Sequence, residues 1–261
     1  MLADARQIAV VSHERPDGDA VGSILGLALS LRKRGQLAVP VLAGGLPRMY
    51  DFLPGAGDVA AAVPEGTDLL VAVDCAELSR AAIPGLPLAA GLNVDHHPTN
   101  TRFARVNLVD PTAAATAQVL YVSSPALELP VDREVATNYL AGIVTDTIGF
   151  RTPNTSPTVL RLAADLEQRA GALPEVYDRL LNLRSFAAAR YWGAGLVHLE
   201  RQGGLLWTRL GLEDRLAAGY SASDDADLVN LLGTIEGVEV CVVFIEQSGG
   251  QVKVSWRSKN G

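Results

Sequence analysis

Four short apolar runs in this chain each end on an aspartate or a histidine. Ile8–Ser12 leads into His13-Glu-Arg-Pro-Asp17-Gly-Asp19, Leu69–Val73 into Asp74-Cys75, Gly91–Val94 into Asp95-His96-His97, and Leu140–Val144 into Thr145-Asp146-Thr147. The first three, rich in β-branched residues and bounded by turn signals, read as buried strands, and Val39–Leu42 reads as another. Between and after them lie helical patterns over Gly18–Arg34, Thr112–Ser123, Asp132–Thr145 and Pro157–Ala170, the last two starting at the capping residues Asp132 and Ser156. Such alternation predicts an α/β fold, a parallel sheet with helices on both faces. Ligands collect at the carboxyl edge of such a sheet, and the four acid- or histidine-bearing ends would lie along it.

The residue types at those ends point to metal. Asp17, Asp19, Asp74 and Asp146 packed together would repel one another and in part protonate unless cations neutralise them; two divalent ions would balance four charges. Imidazole and carboxylate without thiolate favour Mn²⁺, with Co²⁺, Zn²⁺ or Fe²⁺ open and Mg²⁺ less comfortable beside histidine. Two ions roughly 3.5–4 Å apart can hold a phosphoryl oxygen for in-line attack. Asp74, after a central strand, is the expected bridge between them.

Composition narrows the partners. With 48% apolar and 20% charged residues among 261, the chain can bury a sizeable core. Twenty-two basic against 29 acidic residues leave a net charge of −7, which excludes a broad basic face for long duplex nucleic acid but not a small anion held locally. Cys75 and Cys241 form no disulfide framework. No signal peptide or span of ~20 apolar residues is read, so a cytoplasmic protein without membrane contact is expected. Gly22 and Gly26 lack a following Gly-Lys-Ser/Thr, which leaves close helix–sheet packing as their reading.

The four motifs, in this order and at these separations, resemble those of the DHH phosphoesterase superfamily. Ser12–Ser23 and Gly142–Thr155 are most similar to its bifunctional oligoribonuclease/pAp phosphatase branch, and Val252–Lys259 resembles part of the associated DHHA1 substrate-binding domain. The resemblance implies one metal on His13, Asp17 and Asp74 and a second on Asp19, Asp74, His96 and Asp146. It places catalytic His97 against the substrate phosphate and gives Asp95 the task of orienting a histidine or backbone. Arg257 and Ser258 would clamp a terminal phosphate, with Asn100 and Arg102 as further substrate contacts. The implied enzyme is a Mn²⁺-dependent phosphoesterase acting on short RNA oligonucleotides and on a nucleotide bisphosphate, 3′-phosphoadenosine 5′-phosphate, with a cleft between domains selecting short substrates. A homodimer is expected by resemblance. A cyclic- or linear-dinucleotide phosphodiesterase, an inorganic pyrophosphatase and a RecJ-like exonuclease are runners-up within the superfamily; a non-catalytic nucleotide- or metal-binding regulator is the alternative of another class.

The domains expected are a DHH catalytic domain over 1–185, a linker helix over 186–200 and a smaller α/β DHHA1-like domain over 201–261. In the last, Leu205–Leu210 reads as a strand, and Val238–Ile245 and Gln251–Arg257 as a hairpin around Ser248-Gly-Gly250. Members of the family continue past the Arg-Ser segment into a glycine-rich GGGH-like loop that completes the pocket. The sequence, ending at Asn260-Gly261, holds none, so this domain is expected to be incomplete.

Overall fold

The computed structural model describes residues 1–84, 86 and 89–259; Asn260 and Gly261, where the tail reading ends, lie outside them. Two compact units are distinguished, Met1–Leu183 and Arg184–Gly261. The first contains β1 (Gln7–Val11), α1 (Gly18–Lys33), β2 (Leu37–Val41), β3 (Leu69–Val73), β4 (Leu92–Asp95), β5 (Val106–Val109), α2 (Thr116–Ser123), α3 (Arg133–Asp146), α4 (Pro157–Ala170) and α5 (Leu173–Tyr177). Its sheet has the order β2-β1-β3-β4-β5, every pair parallel. β3 is buried along its whole length, as its unbroken Leu-Leu-Val-Ala-Val requires.

The helices begin where side chains can satisfy their first N–H groups. Asp17 accepts from the backbone of Asp19 and Ala20 at the start of α1, Asp132 from Val135 at α3, and Ser156 from Val159 at α4. Gly171, at φ +59°, closes α4. Helix α1 is buried on almost every side because it lies against both the sheet and α3. Its glycines permit the second contact. A Cβ on Gly22 would stand 2.3 Å from the Asn138 carbonyl oxygen, and one on Gly26 2.4 Å from the Tyr139 ring. The close packing expected there is therefore helix on helix, not helix on sheet.

Two further expectations are corrected. The α-helices all pack in one cluster with one sheet face, centred on Ile8, Val71, Leu120 and Leu140. Among the described residues the opposite face is closed by Leu78, Ala81, Ile83 and Phe103, from a 3₁₀ turn and loops, with no α-helix. Leu140–Val144 lies in α3, within the helical pattern expected over Asp132–Thr145, so Asp146 arrives on a helix C-terminus. The run from Thr112 becomes helical only at Thr116, and β5, short and half-exposed, carries too little apolar signal to be read beforehand.

The second unit contains α6 (Phe186–Val197), β6 (Glu200–Gln202), β7 (Leu205–Leu210), α7 (Leu212–Ala218), α8 (Leu228–Leu232), β8 (Val240–Glu246) and β9 (Val252–Ser258). Its sheet runs β6-β7-β8-β9; β7 and β8 are parallel and the outer pairs antiparallel. The helix expected over 186–200 stops at Val197 and gives way to a strand at Glu200. Ala188 and Tyr191 bury it in this unit's own core, so it is part of the unit and not a bare connector.

Candidate metal centre

Strands β1, β3 and β4 and the facing ends of α1 and α3 supply the acidic and imidazole groups. His13 follows β1 and is buried, with Nε2 3.6 Å from Asp74 Oδ2. Asp74 follows β3 at φ +53°, a left-handed backbone that aspartate tolerates better than most residues. Its Oδ1 lies 3.7 Å from His96 Nε2. His96 Nε2 is also 3.2 Å from Asp146 Oδ2 and 3.9 Å from Asp19 Oδ2. Donor atoms of His13, Asp17 and Asp74 lie within 4.8 Å of one another, as do those of Asp19, His96 and Asp146, and those of Asp74, His96 and His97.

These groups fit divalent metal on their chemistry. Asp19 is wholly buried, and burial, then repulsion from Asp74, Asp146 and Asp17, raises its carboxyl well above the usual range. Burial, then Asp17 and Asp74, pushes Asp146 up to about 8. Cations would remove that conflict. His96 Nδ1 sits 3.3 Å from the Ala113 carbonyl; donating there, it leaves the Nε2 lone pair facing three carboxylates, the tautomer a metal needs. Ligand distances of about 2.0–2.2 Å correspond to donor separations of roughly 3.0–3.4 Å, a range that the His96–Asp146 pair meets at 3.2 Å and the Asp74 and Asp19 oxygens exceed at 3.7 and 3.9 Å. Cys75 takes no part: its buried thiol donates to the Glu77 carbonyl, and burial raises it to about 11.

Neighbouring residues hold the donors in place. Asp17 spends Oδ1 on the first turn of α1, and among the described residues Oδ2 carries no hydrogen bond, so capping and ligation are compatible. Asp19 accepts from the backbone N–H groups of Thr116 (2.5 Å) and Ala117 (2.9 Å), which open α2. The Thr116 hydroxyl donates to Asp74 Oδ1 at 2.9 Å. Sequence reading missed Thr116, Ala113, Ala117 and Gly142. The signal was the small-residue run Ala113–Ala117, which lets a helix start approach a carboxylate closely. Thr116→Val keeps the shape and removes the donor; kcat at saturating metal should fall by about ten- to a hundredfold. An unchanged kcat would mean that the hydroxyl is irrelevant.

His97 differs from His96. Its Nδ1 donates to Asp95 Oδ1 at 2.8 Å, and that hydrogen bond raises the imidazole pKa above its ordinary value. Burial alone would raise Asp95, but hydrogen bonds from His97 and Asn100 outweigh it and hold the carboxyl low. The Asn100 amide donates to Asp95 Oδ2 (2.5 Å) and Asn93 Oδ1 (2.8 Å), and its carbonyl accepts from the Arg102 backbone (2.7 Å). Asn100 thus acts on Asp95, while Arg102 is exposed. Arg257 and Ser258 lie in the second unit, lining a hollow of about 550 Å³ with Asp225, Asp227 and Trp256; Arg257 Nε donates to Asn230 Oδ1 at 3.2 Å.

A parallel α/β sheet that gathers four aspartates and paired histidines at its carboxyl edge defines a class, the α/β proteins that use divalent metal. The model of the DHH family's N-terminal domain matches residues 7–143, just over half of the sequence. The chain belongs to the DHH family. It is 40% identical over 259 residues to the bifunctional oligoribonuclease and PAP phosphatase NrnA of Thermus thermophilus, a match covering 97% of this chain and 76% of that protein. The Bacillus subtilis protein of the same name is 28% identical over 264 residues, covering 95% and 80%. The fold is shared with a crystal structure of an exopolyphosphatase-related protein from Bacteroides fragilis, at a TM-score of 0.89 and 22% identity over 98% of this chain and 80% of that one.

Proposed function

We propose that this chain is a Mn²⁺-dependent phosphoesterase that hydrolyses short oligoribonucleotides to mononucleotides and 3′-phosphoadenosine 5′-phosphate to AMP and phosphate. The activities named for the relatives support the substrates. The observation that carries two-metal chemistry is Asp74, whose Oδ2 faces His13 and whose Oδ1 faces His96. One carboxylate thereby joins the His13–Asp17–Asp74 set to the Asp19–His96–Asp146 set. Mn²⁺ suits a mixed imidazole and carboxylate environment. Bound ions would supply an activated water and neutralise the charge developing on the phosphoryl oxygens.

The chain's own residues do the rest. His97, kept basic by Asp95, binds the substrate phosphate through Nε2 and can deliver a proton to the departing oxygen. Asn100 fixes Asp95, so that the imidazole is held in one orientation. Arg257 supplies a guanidinium fork for a terminal phosphate, with Ser258 beside it. No helix among the described residues is long and apolar enough to cross a membrane, and both cysteines are free and buried, which suits a reducing cytoplasm.

The test is Mn²⁺-dependent hydrolysis of a 5′-phosphorylated RNA dinucleotide and of 3′-phosphoadenosine 5′-phosphate. Release of mononucleotides and of AMP is expected; no turnover of either substrate, with manganese bound, would overturn the reading. Manganese should also raise Tm. At a hundredfold excess over Kd the stabilisation is about 2.7 kcal/mol, or roughly 5–10 °C for a domain of this size. A Tm insensitive to Mn²⁺ would remove the metal assignment.

A further inference from the structure

His13 borders a second hollow. Together with Glu14, Arg15 and Arg80 it lines a space of about 280 Å³ in the first unit. Two of the four lining residues are cationic, and the only acid among them, Glu14, lies 3.7 Å from the Arg15 guanidinium. Arg80 belongs to the 3₁₀ turn Leu78–Ala81 that follows β3, and its carbonyl accepts from the Glu14 N–H at 2.8 Å. That bond ties the loop after β1 to the turn after β3, fixing the Arg80 backbone beside a metal-ligand candidate. The Arg80 side chain is exposed and forms no hydrogen bond or ion pair among the described residues.

Four aspartates balanced by two divalent ions would leave the ligand set itself no surplus positive charge for a further phosphate, and a cation of the first unit would add to the Arg257 guanidinium of the second. A substrate with two phosphates, or a phosphorylated dinucleotide, brings one that does not react. We propose that the hollow beside His13 is an anion subsite for this unreacted phosphate, with Arg80 as its principal cation. The guanidinium can meet two phosphate oxygens at once, which a lysine cannot. The inference rests on the phosphoesterase reading above and adds to it the origin of discrimination between bisphosphate and monophosphate substrates. Arg80 is a specificity-determining residue here, since it would touch a phosphate at which no bond changes.

The experiment compares 3′-phosphoadenosine 5′-phosphate with adenosine 3′-monophosphate, which lacks the second phosphate, on the manganese-loaded wild type, Arg80→Ala and Arg80→Lys. Arg80→Ala should raise KM for the bisphosphate by about ten- to a hundredfold, the worth of one or two charge-assisted hydrogen bonds. The preference for bisphosphate over monophosphate should collapse by the same factor, with Arg80→Lys intermediate. An unchanged preference overturns the proposal, and so does an equal loss on both substrates, which would assign Arg80 to the reacting phosphate or to the fold. AMP, which retains only the 5′-phosphate, is titrated into the same proteins by calorimetry. Weaker binding to Arg80→Ala supports the subsite; equal binding, or none to the wild type, overturns it. If the wild type hydrolyses neither compound, the proposed function fails, and the AMP titration still decides the subsite.

Discussion

Asp74→Ala is expected to lower turnover on the order of a thousandfold or more while leaving the metal-free fold standing. The carboxylate faces both candidate donor sets, so its loss disables two positions at once. The fold survives because the substitution also removes a charge from a crowded acidic cluster. Against that relief stand the Thr116 hydroxyl left unmet, at about 1 kcal/mol, and the left-handed backbone at φ +53°, which alanine tolerates less well than aspartate by about 1 kcal/mol. Metal-free Tm should therefore move by no more than about 8 °C, and the Tm increase on adding Mn²⁺ should largely vanish. A variant within tenfold of the native rate would mean that the two-set reading of Asp74 is wrong.

Gly142→Ala should produce the second largest effect, and its sign is diagnostic. Within a helix interior this change ordinarily stabilises by about 1 kcal/mol. Here the added Cβ would stand 2.6 Å from Asp19 Oδ1 and 2.7 Å from the Ala117 Cβ. Neither neighbour yields cheaply, because Asp19 is pinned by the N–H groups of Thr116 and Ala117 and both residues are buried. Overpacking of this kind costs about 1–3 kcal/mol. Displacing a ligand by up to an ångström costs about a hundredfold in rate. Gly193→Ala in α6 is the control: nothing lies within 4 Å of its Cβ, so stability should rise slightly. If Gly142→Ala behaved like Gly193→Ala, the close approach of α3 to Asp19 would be disproved.

Much of the fold was legible because its signals are local. An unbroken apolar run such as Leu69–Val73 can only be a buried strand when turns bound it, and Ser156-Pro157 opens a helix through capping chemistry that needs no partner. Leu140–Val144 was legible as helix because it continues the pattern that opens at the Asp132 cap, although five apolar residues by themselves look alike on a buried strand and on a buried helix. The single-face helical cover and the helix-on-helix role of Gly22 depend on which element lies opposite, and no local pattern records that.

By itself the sequence determined the parallel α/β class, the acid and histidine ends, and the family resemblance, because strand burial and motif spacing are written along the chain. Only the tertiary structure decided that His96 turns Nε2 toward three carboxylates while His97 turns Nδ1 toward Asp95. Those orientations are set by the Asp95 carboxylate next door and by the Ala113 carbonyl, while the first N–H groups of α2 hold Asp19; α2 and the segment leading into it approach from elsewhere in the chain. Hydrogen bonds between distant segments exist only once packing has brought them together, so adjacent histidines with the same chemistry take different partners in space.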